Sequence, residues 1–168
     1  MKQTCSVIGA LAMLVAASIA MAQSKASFAG KWTLVPDPNA PAAGGGRGRG
    51  GFGGLGQEFT AAQDDKTLTV TTNNPQMGEM KSVYNLDGSE TKNPLTFGGN
   101  TVDRVSKGKW DGAKFVITTT SNFNGNAIAS TQTWMLDGAG NLVVESTSNF
   151  QGTPATTKAT YKKGAGGL

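Results

Sequence analysis

The chain has 168 residues, with 15 Lys and Arg against 11 Asp and Glu, which gives a formal net charge of +4. It contains no His and a single Cys, Cys5. This composition excludes Ser-His-Asp catalysis and the His and Cys sites that hold zinc, and it excludes Cys-His catalysis as well. The basic residues are scattered rather than clustered, so no nucleic-acid partner is expected.

Residues 1–22 have the pattern of a cleavable secretory signal peptide. Lys2 precedes an uncharged run over 7–20, and Ala20-Met21-Ala22 offers small side chains at the positions that a signal peptidase reads. The run of about fourteen residues is shorter than the roughly twenty that a membrane-spanning helix needs. We therefore expect export without a permanent membrane anchor.

Cleavage before Gln23 would remove Cys5 and leave about 146 residues, which is the size of one domain. Such a domain has no thiol, so it can form no disulfide and depends on its core for stability. We predict a single β-domain over 23–168, located in the periplasm of a bacterium or secreted into the medium.

Beyond Gln23, short runs rich in Thr, Val, Ile and aromatic residues are interrupted by Gly, Asn, Asp or Pro at intervals typical of all-β sandwiches and barrels. No window has a helical stripe with caps at both ends. A Gly-rich stretch over 41–56 is too poor in apolar surface to fold, and we predict a disordered loop there. Residues 94–100 are predicted as a second loop. The predicted strands cover 28–35, 57–63, 67–72, 80–86, 90–93, 101–110, 114–120, 127–136, 142–148 and 155–162.

An internal repeat supports these strands. Residues 117–134 match 144–161 at an offset of 27 residues, the separation of Ile117 and Val144, and share the core Thr-Ser-Asn-Phe-x-Gly. Each unit is a hairpin, so strands that are neighbours in the chain should pair in space. The predicted fold class is all-β, an antiparallel meander barrel of about eight to ten strands, with a β-sandwich as the alternative.

Alternation along the strands predicts which side chains point inward. Glu145 is charged and should face water, which turns its neighbours on both sides inward, and the repeat extends this to the preceding hairpin. The candidate ligand-lining residues are Phe115, Ile117, Thr119, Leu142 and Val144. Because these inner rows begin apolar and become rich in Ser and Thr, two interpretations stay open: a frayed end in solvent, or a polar-lined cavity for a small ligand.

The acidic residues give no candidate for catalysis. Most of them lie in turns, where Asp has local hydrogen-bonding reasons to occur, and no two are spaced to meet at one site. The Gly-rich stretch lacks the Lys-Ser/Thr end and the following helix of a phosphate-binding loop. We therefore predict no catalytic residue, no metal site, no cofactor and no enzymatic activity.

Phe28, Gly30 and Trp32 resemble the F-x-G-x-W signature that opens the first strand of the calycins, the superfamily of lipocalins, avidins and intracellular fatty-acid-binding proteins. The C-terminal hairpins, ending in Thr-Lys-Ala-Thr-Tyr at 157–161, are similar to the last strands of fatty-acid-binding proteins. The resemblance implies a meander barrel in which Trp32 packs over the closed end beneath Lys158 or Lys162.

Two departures from the fatty-acid-binding proteins bear on function. Their carboxylate-binding Arg-x-Tyr near the C-terminus is absent, because Ala159 stands two positions before Tyr161. Their helical lid is replaced by the Gly-rich stretch. The leading expectation is an exported lipocalin-like protein that binds a small apolar or amphipathic ligand such as a lipid. The alternative is a β-domain with a filled core that serves as an envelope-structural or protein-interaction module.

Overall fold

The computed structural model describes residues 25–37, 54–75, 78–97, 99–123, 125–150 and 153–164. The predicted signal peptide and residues 41–53 of the Gly-rich stretch lie outside these ranges. Within them, no helix is long and apolar enough to cross a membrane. The strands are β1 Gly30–Leu34, β2 Glu58–Gln63, β3 Thr67–Asn74, β4 Gly78–Asn85, β5 Glu90–Lys92, β6 Leu95–Phe97, β7 Asn100–Val102, β8 Arg104–Asp111, β9 Lys114–Phe123, β10 Asn126–Leu136, β11 Leu142–Phe150 and β12 Thr153–Lys163.

Ten of these strands form one antiparallel sheet in the order β4-β3-β2-β1-β12-β11-β10-β9-β8-β5. Most neighbours in the sheet are neighbours in the chain, as a meander requires. The first strand also pairs with the last, so that Trp32 lies opposite Lys163 and Leu34 opposite Tyr161. The predicted all-β meander is confirmed, and the sheet curls into a nearly closed barrel.

The two edge strands of the barrel, β4 and β5, are joined by side chains rather than by a ladder of main-chain hydrogen bonds, with Asn85 Nδ2 donating to Glu90 O and Asn93 making the shorter contacts. The Asn93 side chain accepts a hydrogen bond from Val83 N (2.7 Å) and donates one through Nδ2 to Val83 O (2.9 Å). Asn93 is only 4% exposed, and its own main-chain N–H donates to Arg104 O. This amide therefore takes the place of one residue of a strand at the seam.

Two loop predictions differ from the structure. Residues predicted as a loop over 94–100 contribute β6, which pairs with β7 in a small hairpin of its own, because Leu95 and Val102 lie opposite each other and both are buried. The end of the Gly-rich stretch is ordered as well. Leu55 is 7% exposed and belongs to the core, and Gly56 O accepts a hydrogen bond from the Tyr161 hydroxyl at 3.2 Å.

The internal repeat corresponds to two structurally equivalent hairpins. Trp134 on β10 lies opposite Phe115 on β9, and Tyr161 on β12 lies opposite Leu142 on β11. All four side chains are at most 4% exposed. The repeat therefore places a large and a smaller apolar side chain side by side at the same level of the barrel in both hairpins.

Candidate functional site

One end of the barrel is filled by a cluster of rings, which we call the aromatic end. Phe28 stacks on Trp110 with ring centroids 5.7 Å apart and meets Trp134 edge-on at 5.6 Å. Phe59 meets Tyr161 edge-on at 5.1 Å. Offset-stacked and edge-to-face contacts of this kind stabilise ring pairs beyond their burial. The members of the aromatic end are Phe28, Trp32, Phe59, Trp110, Phe115, Trp134 and Tyr161.

The segment before β1 helps to close this end. Trp32 Nε1 donates a hydrogen bond to Phe28 O at 2.8 Å. The Gln63 side chain accepts from Phe28 N at 2.8 Å and donates to Ala26 O at 3.1 Å. Since buried main-chain groups need partners, these bonds let the segment cross the barrel with Phe28 fully buried.

The signature residues Phe28, Gly30 and Trp32 therefore meet at the closed end, but the lysine above Trp32 is not the expected one. Lys163 Nζ lies 5.8 Å from the centre of the Trp32 ring. Lys158 lies opposite Glu145 on the outer face of the sheet. Side chains alternate along a strand, so with Tyr161 inward, Lys163 points to the same side while Lys158 and Lys162 point outward.

The predicted ligand-lining residues divide between two levels of the barrel. Phe115, Ile117, Leu142 and Val144 are 0 to 3% exposed and belong to the hydrophobic core. Thr119, two residues further along β9, is half-buried. The four apolar residues therefore form the floor beneath a more accessible half of the barrel, and Thr119 lies at its lower boundary.

Above this floor most inner side chains are polar, although Met80 and Ile128 lie on the same face, and we call this region the hydroxyl-lined half. Ser130 lies opposite Thr119 and Ser148, and Gln132 lies opposite Ile117 and Ser146. Its described inner residues include Thr72, Ser82, Thr91, Arg104, Ser106, Thr119, Ser121, Ser130, Gln132 and Ser146. All of these except the buried Ser106 are half-buried. Partial exposure of inward-facing side chains shows that solvent reaches the interior here.

A polar cluster lies inside the barrel next to the seam. Arg104 donates through Nε to Asn93 O at 3.0 Å and through Nη2 to Ser82 Oγ at 3.4 Å. Burial raises the pKa of Tyr84, against the opposing effects of a hydrogen bond with Ser82 and of the Arg104 charge. The Tyr84 hydroxyl therefore stays protonated through the neutral range.

Arg104 has no acidic partner. All eleven acidic residues of the chain lie within the described ranges, and the ion pairs there are Lys31–Glu58 (3.0 Å) and Lys107–Glu90 (3.1 Å), both exposed. No group of three acidic or thiol side chains in the described ranges could hold a metal ion. The polar cluster therefore combines hydrogen-bonding groups and one positive charge with the apolar floor beneath it.

No protein-family model matches the sequence, and no curated protein matches it. The fold and the geometry of the barrel interior are thus the basis for any statement about function.

Proposed function

We propose that the protein binds a small amphipathic molecule in the hydroxyl-lined half of the barrel, as a lipocalin-like carrier does. One observation carries the proposal. Along the same inner face, large buried residues such as Phe115 and Ile117 give way to small, half-buried ones such as Thr119 and Ser121. A barrel that is closed by large side chains at one end and lined mostly by polar ones at the other has the form in which barrels bind small ligands.

The distribution of polarity favours an amphipathic ligand over a purely apolar one. The floor is apolar, with Val70, Ile117 and Val144 each at most 3% exposed. The walls carry hydroxyls, and some of these are already paired, as in the 2.9 Å contact between Ser106 Oγ and Thr119 Oγ1. A ligand would place an apolar group on the floor and a polar group among the remaining donors and acceptors.

The closed end supports a calycin-like relationship. Phe28 and Trp32 of the F-x-G-x-W signature are buried together there, and Lys163 covers Trp32. In this proposal the protein is exported, its leader is removed before Gln23, and it carries its ligand in the periplasm or outside the cell without catalysing a reaction.

The packed aromatic end favours a second candidate, a filled β-domain that acts through its surface. Phe115, Trp134 and Tyr161 together occupy that end, and the outer face carries a row of four threonines across neighbouring strands. These are Thr118, Thr131, Thr147 and Thr156, which lie opposite one another in register. For this candidate the interior holds no ligand and the threonine row contacts a partner protein.

A matched pair of substitutions on β11 separates the two candidates. Ser146 points into the barrel and Thr147, its neighbour, points outward. We expect Ser146→Phe to fill the hydroxyl-lined half and abolish binding of N-phenyl-naphthylamine, an uncharged fluorescent amphiphile, while Thr147→Phe leaves its affinity unchanged. Native mass spectrometry of the purified protein should also show a bound small molecule. Absence of binding in the unsubstituted protein, or equal binding by Ser146→Phe, would favour the filled domain.

A further inference from the structure

We infer that the ligand carries an anionic head group, a carboxylate or a phosphate, and that Arg104 binds it. This inference rests on the proposed function, since it names the chemical class of molecule that the hydroxyl-lined half selects. It depends on three properties of Arg104: its direction, its lack of a counter-ion and the way its guanidinium is held.

Arg104 points into the barrel. On β8 it lies opposite Ser121, and two residues further along Ser106 lies opposite Thr119 on the same inner face. Ser106 is 2% exposed, which fixes that face as the interior. The hydrogen bond from Arg104 Nη2 to Ser82 Oγ, which reaches across the seam to β4, confirms the direction of the side chain.

The charge of Arg104 is not balanced by a carboxylate. The neighbouring cations Lys107 and Lys109 belong to the outer face of the same strand, and Lys107 already has an exposed partner in Glu90. A half-buried cation without a counter-ion is less well solvated than an exposed one. An anion delivered by the ligand would supply that counter-ion.

The guanidinium is oriented by two of its donors and keeps others available. Nε is held by Asn93 O and Nη2 by Ser82 Oγ, while a guanidinium has five N–H donors in a planar fork. The fork suits carboxylate and phosphate oxygens, which it binds in pairs.

Competition by eight-carbon compounds tests this directly. The probes are octanoate and octyl phosphate as anions, octanol as the uncharged equivalent, and acetate and inorganic phosphate as head groups without a chain. We expect the two eight-carbon anions to bind about ten- to a hundredfold more tightly than octanol, as one charge-assisted contact predicts. Arg104→Gln should abolish that preference and leave octanol binding unchanged.

The control is Lys109→Gln, which removes the same charge from the outer face of the same strand. It should keep the full preference for anions. Because Arg104 also bonds across the seam, its replacement could affect folding, so a measurement on the unsubstituted protein accompanies it. The Nε–H resonance of Arg104 should shift on addition of octanoate and stay in place on addition of octanol.

The outcomes separate this inference from the proposed function. Equal binding of octanoate and octanol, or an anion preference that survives Arg104→Gln, overturns the anion site and leaves the amphiphile-binding function standing. Binding of acetate or phosphate alone as tight as that of octanoate supports the anion site but overturns the proposed function. Failure of all five probes to bind overturns both.

Discussion

At the scale of single residues, Gly108 shows how tightly the aromatic end is filled. It lies on β8 opposite Ile117, and a β-carbon at this position would collide with the ring of Phe115 and come within 3.0 Å of Asn85 O. The missing side chain is thus what allows the Phe115 ring to lie against the strand.

Replacing Gly108 with Ala should therefore overpack the core. We expect the free energy of unfolding, measured in urea, to fall by about 1–3 kcal/mol. Gly138 in the turn after β10 is the control, because a β-carbon there meets nothing within 4 Å, and Gly138→Ala should change stability by less than about 0.5 kcal/mol. A loss of equal size at both positions would contradict this description of the core.

The direction of a side chain, into the barrel or out of it, could be predicted from the sequence because side chains alternate along a strand. This alternation was applied to some strands and not to others. The inward directions of Ile117 and Val144 follow from the charge of Glu145 and are confirmed by their burial. The same alternation, counted from Tyr161, would have selected Lys163 as the partner of Trp32. Counted back from Trp110, it would have placed Arg104 inside the barrel.

At the scale of elements, the turns were predictable because their chemistry is local. In the turn between β2 and β3, Asp64 Oδ1 accepts hydrogen bonds from Lys66 N and Thr67 N, each at 2.7 Å. Asp64 Oδ2 accepts a third from Thr67 Oγ1 at 3.0 Å. These bonds join residues within the turn itself, so they favour Asp at this position independently of the tertiary fold.

These hydrogen bonds predict a pH dependence. The Lys66 and Thr67 main-chain N–H groups, followed by the Thr67 hydroxyl, lower the pKa of Asp64 below its ordinary value of 3.8. A carboxyl whose pKa is lower in the folded state stabilises the fold above its unfolded pKa, and this contribution is lost as pH falls through the folded pKa. Asp64→Ala should therefore lower the melting temperature by a few degrees at pH 7, and the difference should shrink as pH falls below 3.8 and through the lowered pKa of the folded state.

The control for this experiment is Asp65→Ala, one residue further along the same exposed turn. Its melting temperature should stay within a degree or so of that of the unsubstituted protein at pH 7. If the melting temperature of Asp64→Ala lies as far below that of the unsubstituted protein at pH 2 as at pH 7, the charge of the carboxylate has no part in stabilising the turn.

The hairpin of β6 and β7 could not be predicted in the same way. Each strand has three residues, too few for alternation to be visible, and Pro94 precedes them as in a loop. Its stability depends on tertiary burial of Leu95 and Val102, a property that no short window of sequence contains.

At the scale of the whole molecule, Asn93 joins the two edges of the sheet, together with the bonds from Arg104 to Ser82 and from Asn85 to Glu90 O. The Asn93 side chain is the partner of Val83 N and Val83 O across the seam, and no sequence pattern indicates that an amide ten residues away will take the place of one strand residue. The meander order and the number of long strands were predictable from turns and the repeat. The seam was not, because it depends on where the curvature of the sheet brings its two edges.

Removing the Asn93 side chain should open the seam. Asn93→Ala leaves two main-chain groups of Val83 unpaired, and we expect a loss of about 1–3 kcal/mol in the free energy of unfolding for each that stays buried. The main-chain amide of Val83 should exchange with solvent faster than in the unsubstituted protein. Asn122→Ala, on the exposed outer face of β9, should change neither quantity. Unchanged protection of Val83 would mean that the barrel closes by other contacts.

The central proposal, that the hydroxyl-lined half holds a small amphipathic ligand, is tested most directly by amide chemical-shift mapping during a titration with octanoate. We predict that the shifts concentrate on the inward-facing Thr119, Ser130 and Ser146. Their outward-facing neighbours Thr118, Thr131 and Thr147 should stay in place. Shifts on the outward-facing set alone, or no shifts at saturating octanoate, would contradict the proposal.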